Sequence, residues 1–280
     1  GSFPYPPLQE HLIAGLIDKA GQALGMRPFP TPRAILPYSD KGRAGCTYNG
    51  GYCGNTGCST GAKGSSRAAL LNRAVATGRC EIRPHAKVSR LRSDATGKLT
   101  GVEYHDGQGR LQQVDASIYV VACQAIETAR LLLNSAAPKH PIGWANGRVL
   151  VGKNLLFAGG GAGCGRLPYS KFSPEQAAEL AQTGLFINRA LQDWYVIDDK
   201  SFGPAQKGGT IDFVHTHPGP VIGAGGQIDG EHGLLWGKPL KRRLESYFGA
   251  GPQVKIEAFC DWLPVPNCHV KLDPVVTDKW

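Results

Sequence analysis

One stretch constrains the fold more than any other feature of this 280-residue chain. The uninterrupted apolar run Ile118–Ala122 ("IYVVA") leads directly into "QAIETARLLLNS" at 124–135, where apolar residues recur at helical spacing. A run that is apolar on both faces predicts a strand buried in a parallel sheet. A parallel strand that feeds a helix is the unit of a doubly wound α/β domain. We therefore expect an α/β fold around this segment.

Three strand-like runs precede the helix and predict a β-meander. They are "CEIRPHAKVSRLRSD", "LTGVEYHD" and "LQQVDASIYVVA", beginning at 80, 99 and 111. The dipeptide Asp106–Gly107 between the last two runs is a strong hairpin signal. The third run ends in the apolar stretch, so the meander and the strand–helix unit belong to one region.

Three helices are predicted from spacing and capping signals. Residues 8–25 carry apolar side chains three and four positions apart, and 65–77 read as a helix that ends before glycine. A third helix begins at Ser173–Gln176, where serine is the N-cap, proline follows it and glutamine completes a capping box. Four prolines within 26–37 predict an extended connector.

The last third of the chain predicts a separate antiparallel sheet, which makes the fold α+β in part. "QVKIEAFC" and "CHVKLDP" alternate like half-exposed strands. The glycine-rich run 156–165 contains no Gly-x-Gly-x-x-Gly, and no P-loop occurs in the chain. Its glycines are expected to let two strands, or a strand and a ligand, approach closely.

The charge pattern argues against nucleic acid as a partner. The formal net charge is +9 and the sequence pI about 9.2, but the positive residues are scattered. The densest cluster, Lys238–Arg243, has no interleaved aromatic residues of the kind that stack on bases. No apolar run is long enough to predict a membrane-spanning helix, and no export signal is recognised within the chain. Localisation stays open between periplasm and cytoplasm.

Cysteines and histidines supply the candidate metal ligands. Cys46, Cys53 and Cys58 have the spacing C-x6-C-x4-C, which matches neither structural zinc nor ferredoxin patterns. An iron–sulfur cluster held by three thiolates, a disulfide between two of them, and thiols packed in a tight loop are the alternatives. His215 and His217 can share one face of a strand, but no third ligand has a recognisable spacing. We therefore predict no metal site there, and treat the two histidines as candidate pocket residues.

Taken in order, several motifs resemble one enzyme family. They are "CTYNGGYCGNTGCSTGAKGSS", "CEIRPHAKVSRL", "LTGVEYHD", "IYVVACQAIETARLLLNS", "GWANGRVLVGKNLLF" and "LPVPNCHVKLDPVVTDKW". Together they resemble the glucose–methanol–choline (GMC) flavoprotein oxidoreductases, and within them the branch of gluconate 2-dehydrogenase-like flavoprotein subunits. The collinear motifs cover nearly the whole chain.

The resemblance implies an FAD-binding doubly wound domain interrupted by a substrate domain on an antiparallel sheet. Residues 1–40 would be the helix and proline-rich connector of the substrate domain, and 41–165 part of the FAD-binding domain. Residues 166–272 would form the substrate domain, and 273–280 would return towards the FAD-binding domain.

The resemblance also implies FAD as the cofactor and places its contacts. "HAKV" resembles the strand edge that meets the adenine end, and "VACQAIET" resembles the second flavin signature, in which the family usually has glycine at the position of Gln124. The implied cofactor-binding residues are Ala86, Lys87, Val88, Ala122, Cys123 and Asn146. Trp262 joins the two histidines as a candidate substrate-pocket residue.

The implied activity is oxidation of a CH–OH group in an alcohol, sugar or sugar acid, with hydride passing to flavin N5 and a histidine taking the hydroxyl proton. The family's glycine loop precedes the matched motifs and its catalytic histidine follows them. No catalytic residue can therefore be assigned in this chain, and we expect an interior fragment that is inactive alone. Implied partners are the small-molecule substrate and an electron-accepting subunit or cytochrome. Two other functions stay open: a non-catalytic scaffold, and an iron–sulfur electron-transfer subunit.

Overall fold

A computed structural model describes residues 3–48, 57–202, 206–215 and 220–279. The chain folds into two compact units, each made of two separate stretches of sequence. Unit 1 comprises Gly1–Thr77 and Ala158–Asp261, and unit 2 comprises Gly78–Phe157 and Trp262–Trp280.

Short helices and antiparallel strands make up both units. The helices are α1 (Leu12–Ala23), a π-helical turn (Arg67–Leu71), α2 (Asn72–Ala76), α3 (Ala125–Asn134), a 3₁₀ turn (Tyr169–Lys171), α4 (Pro174–Leu180), a second 3₁₀ turn (Lys200–Phe202), α5 (Pro220–Gly225) and α6 (Gly237–Gly249). The strands are β1 (Phe29–Pro30), β2 (Lys87–Ser93), β3 (Leu99–His105), β4 (Leu111–Val114), β5 (Ala158–Arg166), β6 (Arg189–Leu191), β7 (Val196–Ile197), β8 (Gln206–Lys207), β9 (Gly209–His215), β10 (Asp229–Gly230), β11 (Gly233–Leu234) and β12 (Gln253–Asp261).

Unit 1 is built on a five-stranded sheet in the order β1-β6-β9-β12-β5. Its core lies where Ile13 of α1 and Leu180 of α4 pack with Ile187 and Val254, and Phe213 of β9 packs against them. Because side chains alternate along a strand, the neighbours of Phe213 on β9 point to the opposite face of the sheet. We call that opposite side the open face.

A buried arginine ties α1 to the sheet. Arg189 of β6 is 7% exposed and donates to Glu10 at 2.6 and 3.0 Å and to both carboxylate oxygens of Asp18 at 2.7 Å. These bonds raise the pKa of the guanidinium, so Arg189 stays charged. Two carboxylates satisfy a cation whose burial would otherwise be costly.

Glycine is required where β5 lies against β12. Gly160 pairs in register with Phe259, and a Cβ at Gly160 would overlap the carbonyl oxygen of Ala258. The same Cβ at Gly161 would meet nothing within 4 Å. The predicted close approach of two strands at the glycine-rich run is therefore confirmed.

Unit 2 contains the predicted meander, in the order β2-β3-β4, with α3 packed on it. Leu91 of β2 and Leu131 of α3 are both buried. Ser135 connects them, because its hydroxyl accepts from the Leu91 amide at 2.9 Å and donates to the Leu131 carbonyl at 2.6 Å. The meander and α3 are confirmed.

The capping signals are confirmed as well. Ser173 accepts from the Gln176 amide at 3.3 Å, and the Gln176 side chain accepts from the Ser173 amide at 3.1 Å, which completes the capping box of α4. The first helix begins at 12 rather than 8, because His11 caps it by accepting from the Ile13 amide. The helix predicted at 65–77 is present, with a π-helical first turn.

Two strand predictions are wrong. The run Ile118–Ala122 forms no strand, and Ile118 and Val120 are 81% and 85% exposed. The reason is that no strand of the described ranges pairs with this run, and every ladder found there is antiparallel. The segment "CHVKLDP" makes only an isolated bridge, between His269 and Lys153. The mixed helix-and-sheet class itself is confirmed.

The units differ in extent from the expected domains. Residues 41–77 and 158–165 belong to unit 1, although the resemblance places them with the FAD-binding segments. The second of these ranges lies mostly in β5, whose partner is β12 of the five-stranded sheet. The assignment of each unit to a cofactor or a substrate stays a prediction.

Candidate functional site

The two segments with implied cofactor contacts meet in unit 2. Lys87, at the start of β2, forms an ion pair of 3.0 Å with Glu127 in the first turn of α3. Glu127 also pairs with Arg130 at 3.0 Å. Hydrogen bonds from Arg130, and then from Lys87, lower the pKa of Glu127 below its usual range. The start of the meander is thereby held against the start of α3.

A cavity of about 560 Å³ lies beside the first half of α3. We call it the α3 cavity. Its lining residues are Ala122, Gln124, Ala125, Thr128, Ala129, Leu132, Val151 and Gly152. Of the predicted cofactor residues, Ala122 lines the cavity directly. Cys123 is exposed beside it, with its amide donating to the Thr128 hydroxyl at 3.0 Å.

Gln124 has a backbone that usually requires glycine. Its φ is 73° and its ψ is 163°, a region that non-glycine residues rarely adopt. This conformation explains why glycine is expected at this position. Here the side chain supplies the N-cap of α3, because its oxygen accepts from the amides of Ile126 at 2.9 Å and Glu127 at 3.4 Å.

Asn146 supports the opposite wall of the α3 cavity. Its side chain is buried, donates to the Ile142 carbonyl at 2.8 Å and accepts from the Val151 amide at 3.0 Å. Next to Val151, a Cβ at Gly152 would overlap the carbonyl oxygen of Val270. The structure therefore places Asn146 in the scaffold of the cavity.

The remaining adenine-side residues lie at the start of the meander. Ala86 is half-buried, and Val88 is paired in register with Tyr104. The α3 cavity is lined by residues of 122–132 and 151–152, so the described residues fit one wall of an FAD site. Their contact with a cofactor stays a prediction.

The open face of the unit 1 sheet carries polar residues that sequence reasoning missed. Asp212 of β9 accepts from the Thr31 hydroxyl at 3.2 Å and from Arg33 at 3.2 Å. Next to it, Gln192 donates to the Thr210 hydroxyl at 3.1 Å. Thr210 and Asp212 alternate with apolar residues in "GTIDFVH", a signal that could have placed both on one face.

The candidate pocket residues are not gathered in one unit. His215 is the last residue of β9, opposite Val254 in register, and His217 lies outside the described residues. Trp262 belongs to unit 2, where its ring meets Phe157 edge-on at 5.7 Å between centroids. Their contact with a substrate stays a prediction.

The cysteine-rich segment is described in part. Cys53 lies outside the described residues, and no disulfide joins Cys46 to Cys58. Burial raises the pKa of the Cys58 thiol, but hydrogen bonds with the Thr60 hydroxyl and from backbone amides, including Lys63, outweigh burial and lower it to about 7. In the described part of the chain, no group of three metal-ligating side chains is found.

Comparison with protein families decides the relationship that the motifs suggest. A model described as GMC oxidoreductase matches residues 10–157, which is more than half of the chain. The chain belongs to the GMC oxidoreductase family. The resemblance drawn from the motifs is therefore confirmed.

Curated GMC relatives match about half of the chain. The 6'''-hydroxyparomomycin C oxidase of Streptomyces lividus is 40% identical over 153 residues, which are 54% of this chain and 28% of that protein. The fructose dehydrogenase large subunit of Gluconobacter japonicus is 32% identical over 160 residues, 55% of this chain and 27% of that protein. The gluconate 2-dehydrogenase flavoprotein of Pantoea cypripedii is 29% identical over 165 residues, 55% and 26% respectively. The matched part thus spans about a quarter of each relative.

The GMC match separates the predicted site residues into two groups. All the predicted cofactor residues, from Ala86 to Asn146, lie within 10–157, as does the whole α3 cavity. The candidate pocket residues lie beyond it. Among the described helices, none combines the length and the apolar character needed to cross a membrane.

Proposed function

We propose that this chain is part of an FAD-dependent oxidoreductase that oxidises a CH–OH group of an alcohol or sugar. The observation that carries the proposal is the GMC match over residues 10–157. The names of the matched relatives agree with it, since each is an oxidase, a dehydrogenase or a subunit of one. Because the chain matches only about a quarter of those proteins, the activity belongs to a longer polypeptide or an assembly.

The α3 cavity is the proposed contact surface for part of FAD. Bound FAD supplies the hydride acceptor of the reaction. Ala122 and the backbone at Gln124 line the cavity, and the pairing of Lys87 with Glu127 keeps the strand edge Ala86–Val88 beside α3. The positive end of the α3 dipole faces the same region, which favours an electron-rich group there.

The open face of the unit 1 sheet is the proposed substrate side. A carboxylate, a hydroxyl and an amide side chain line it at Asp212, Thr210 and Gln192. These groups can donate to and accept from the hydroxyls of a polyol, and the pairing of Asp212 with Arg33 leaves their charge balanced. The arrangement suits a neutral polyol. We keep His215, His217 and Trp262 as further candidates.

The name of one relative suggests a partner for this protein. One relative is named as the large subunit of fructose dehydrogenase. We propose an electron-accepting subunit for this protein on that basis. Periplasm and cytoplasm both agree with the chain.

The test uses the complete reading frame that encodes this sequence. The purified product is expected to show a flavin absorbance band that bleaches anaerobically with a substrate from a panel of 6'''-hydroxyparomomycin C, fructose and gluconate, which the names of the matched relatives suggest. A flavin-free product would support the non-catalytic module instead, and iron in the sample would support the iron–sulfur alternative.

A pair of variants tests the α3 cavity itself. Ala125 lines the cavity and Ala178 is exposed on α4, so tryptophan at each adds the same bulk in different places. Ala125→Trp is expected to weaken FAD binding ~tenfold or more, because a filled pocket loses its ligand contacts. Ala178→Trp should leave FAD binding unchanged. Equal FAD affinities in the two variants, measured by equilibrium dialysis, would place the cofactor elsewhere.

A further inference from the structure

Unit 1 contains a cavity of about 710 Å³ to which the proposed oxidation assigns no role. We call it the proline cavity. Residues 3–8 and 30–36 form most of its wall, and Ala62 and Gly64 close another side. Its volume lies within the ~300–1,000 Å³ typical of small-molecule sites.

The walls are apolar and conformationally restricted. Pyrrolidine rings fix φ, so a wall rich in proline changes shape little when a ligand enters. The prolines that line the cavity are Pro4, Pro6, Pro7, Pro30 and Pro32. Such a wall suits the apolar body of a ligand.

Asn188 belongs to the wall of the cavity, and its buried amide has no partner among the described residues. The residue is 1% exposed, and neither its Nδ2 nor its Oδ1 makes a hydrogen bond. Its backbone is held firmly, because its carbonyl accepts from the Thr31 amide at 3.0 Å and from Arg189 at 3.1 Å. Buried polar groups are almost always satisfied, so an exception of this kind calls for a missing partner.

Arg43 adds a charge to the same cavity. Its Nη2 donates to the carbonyls of Gly61 at 2.9 Å and Ala62 at 3.3 Å, while its buried Nε has no partner. Arg33 also lines the cavity but is paired with Asp212 at 3.2 Å. No such ion pair is found for Arg43 among the described residues. The cavity therefore holds one arginine without a carboxylate within 4 Å among the described residues, and the nearby carboxylate of Asp40 accepts from the Tyr5 hydroxyl instead.

We propose that the proline cavity binds a small organic acid: an apolar body with one carboxylate, which Arg43 receives, and one hydroxyl or amide, which pairs with Asn188. Charge-assisted hydrogen bonds make the guanidinium the stronger contact. A sugar acid fits poorly, because most of its hydroxyls would lie unpaired against apolar walls.

Three probes separate the two polar contacts. Benzoate carries the carboxylate alone, benzamide the amide alone, and mandelate a carboxylate with a hydroxyl. Saturation-transfer NMR and calorimetry on the full chain are expected to show saturable binding, with mandelate tightest and benzamide weaker than benzoate.

Two variants locate the binding, each with a matched control. Arg43→Met and Asn188→Gly are each expected to weaken mandelate binding ~tenfold or more. Arg27→Met removes an exposed arginine elsewhere, and Asn154→Gly changes an exposed asparagine with φ of 54°, close to the 53° of Asn188. Both controls should bind mandelate as the unmodified chain does. Binding that survives in Arg43→Met and Asn188→Gly would overturn the proposal.

Stability provides the second measurement. If the Asn188 amide awaits a ligand, Asn188→Gly should raise the melting temperature of the ligand-free chain relative to Asn154→Gly, because an unsatisfied group is removed. A lower melting temperature would show that the fold or trapped water already satisfies the amide, which overturns the proposal. Failure of all three probes to bind below ~10 mM overturns the ligand class. Flavin binding at the α3 cavity is measured separately, so either proposal can fail alone.

Discussion

The backbone of Gln124 predicts an unusual response to substitution. Its φ of 73° and ψ of 163° belong to a region almost reserved for glycine, while its side chain caps α3. Gln124→Ala removes the cap and keeps the strain. Gln124→Gly removes both. The two variants therefore separate the value of the cap from the cost of the backbone.

The magnitudes follow from the cap, the backbone strain and the chain entropy. Loss of the capping side chain costs ~1 kcal/mol with alanine and somewhat less with glycine. Glycine also releases ~1–3 kcal/mol of backbone strain. The added chain entropy of glycine takes back ~0.4–1 kcal/mol. Gln124→Gly should therefore be more stable than Gln124→Ala by about 1 kcal/mol, since the relief of strain exceeds the entropy cost.

Ser173 is the matched control, because it caps α4 from an ordinary extended conformation, with φ of −61° and ψ of 158°. Glycine and alanine differ little in backbone strain there. The difference in stability between Ser173→Gly and Ser173→Ala, the glycine–alanine gap, therefore reports the cap and the chain entropy alone. The glycine–alanine gap at Gln124 should therefore exceed the gap at Ser173 by ~1 kcal/mol or more.

Hydrogen–deuterium exchange with mass spectrometry measures both gaps. The peptides that cover α3 and α4 report the opening free energy of each helix, so the two units need not unfold together. Equal glycine–alanine gaps at the two caps would refute the reasoning, since they would mean that Gln124 carries no strain.

Three other changes test the packing and the thiol. In urea unfolding followed by circular dichroism, Arg189→Met should destabilise unit 1 by ~2 kcal/mol or more, because two carboxylates lose their cation. Arg189→Lys keeps the charge and should destabilise unit 1 by less. Equal losses of stability in the two variants would contradict a role for the charge. Gly160→Ala should lower the free energy of unfolding by ~3 kcal/mol or more in the same assay, because the new methyl group meets a neighbouring carbonyl. Gly161→Ala is the control, since its methyl group enters open space. Similar losses of stability in the two variants would refute the clash. Alkylation of Cys58 should be half-maximal near pH 7, and Thr60→Val should move the midpoint upward. An unmoved alkylation midpoint in Thr60→Val would contradict the hydrogen bond. The folded state favours the Cys58 thiolate, so this group adds stability to the fold as pH rises from about 7 towards the ~8.5 of an unfolded thiol. That contribution is lost as pH falls.

Elements with local signals were predictable from the sequence. The capping box at Ser173, the hairpin at Asp106–Gly107 and the apolar spacing of α1 each depend on a few neighbouring residues, and each is present. The segments Ile118–Ala122 and "CHVKLDP" failed for the opposite reason. A strand exists only when a partner supplies its hydrogen bonds, and alternation or apolarity alone does not say whether that partner is present.

The candidate sites divide in the same way. Motif resemblance proposes Ala122 and Lys87 as cofactor residues, because the family pattern is written in short contiguous segments. It could not show that Asp212 meets Thr31, since 181 residues separate them and only the register of the sheet joins them. Nor does any sequence pattern mark the unpaired amide of Asn188, which follows from the packing of several distant segments.

The two cavities each have a non-glycine residue with positive φ in their wall, Gln124 in the α3 cavity and Asn188 in the proline cavity. The two residues differ in whether the side chain finds hydrogen-bond partners within the fold. Gln124 recovers part of its strain inside the fold, because its side chain caps a helix. Asn188 recovers nothing through its side chain, because both amide atoms are unpaired among the described residues. A strained and buried position persists when something else stabilises it. For Gln124 the capped helix contributes that stabilisation, whereas for Asn188 the hydrogen bonds to its carbonyl contribute it, and the proposed ligand of the proline cavity would supply the partner that its amide lacks.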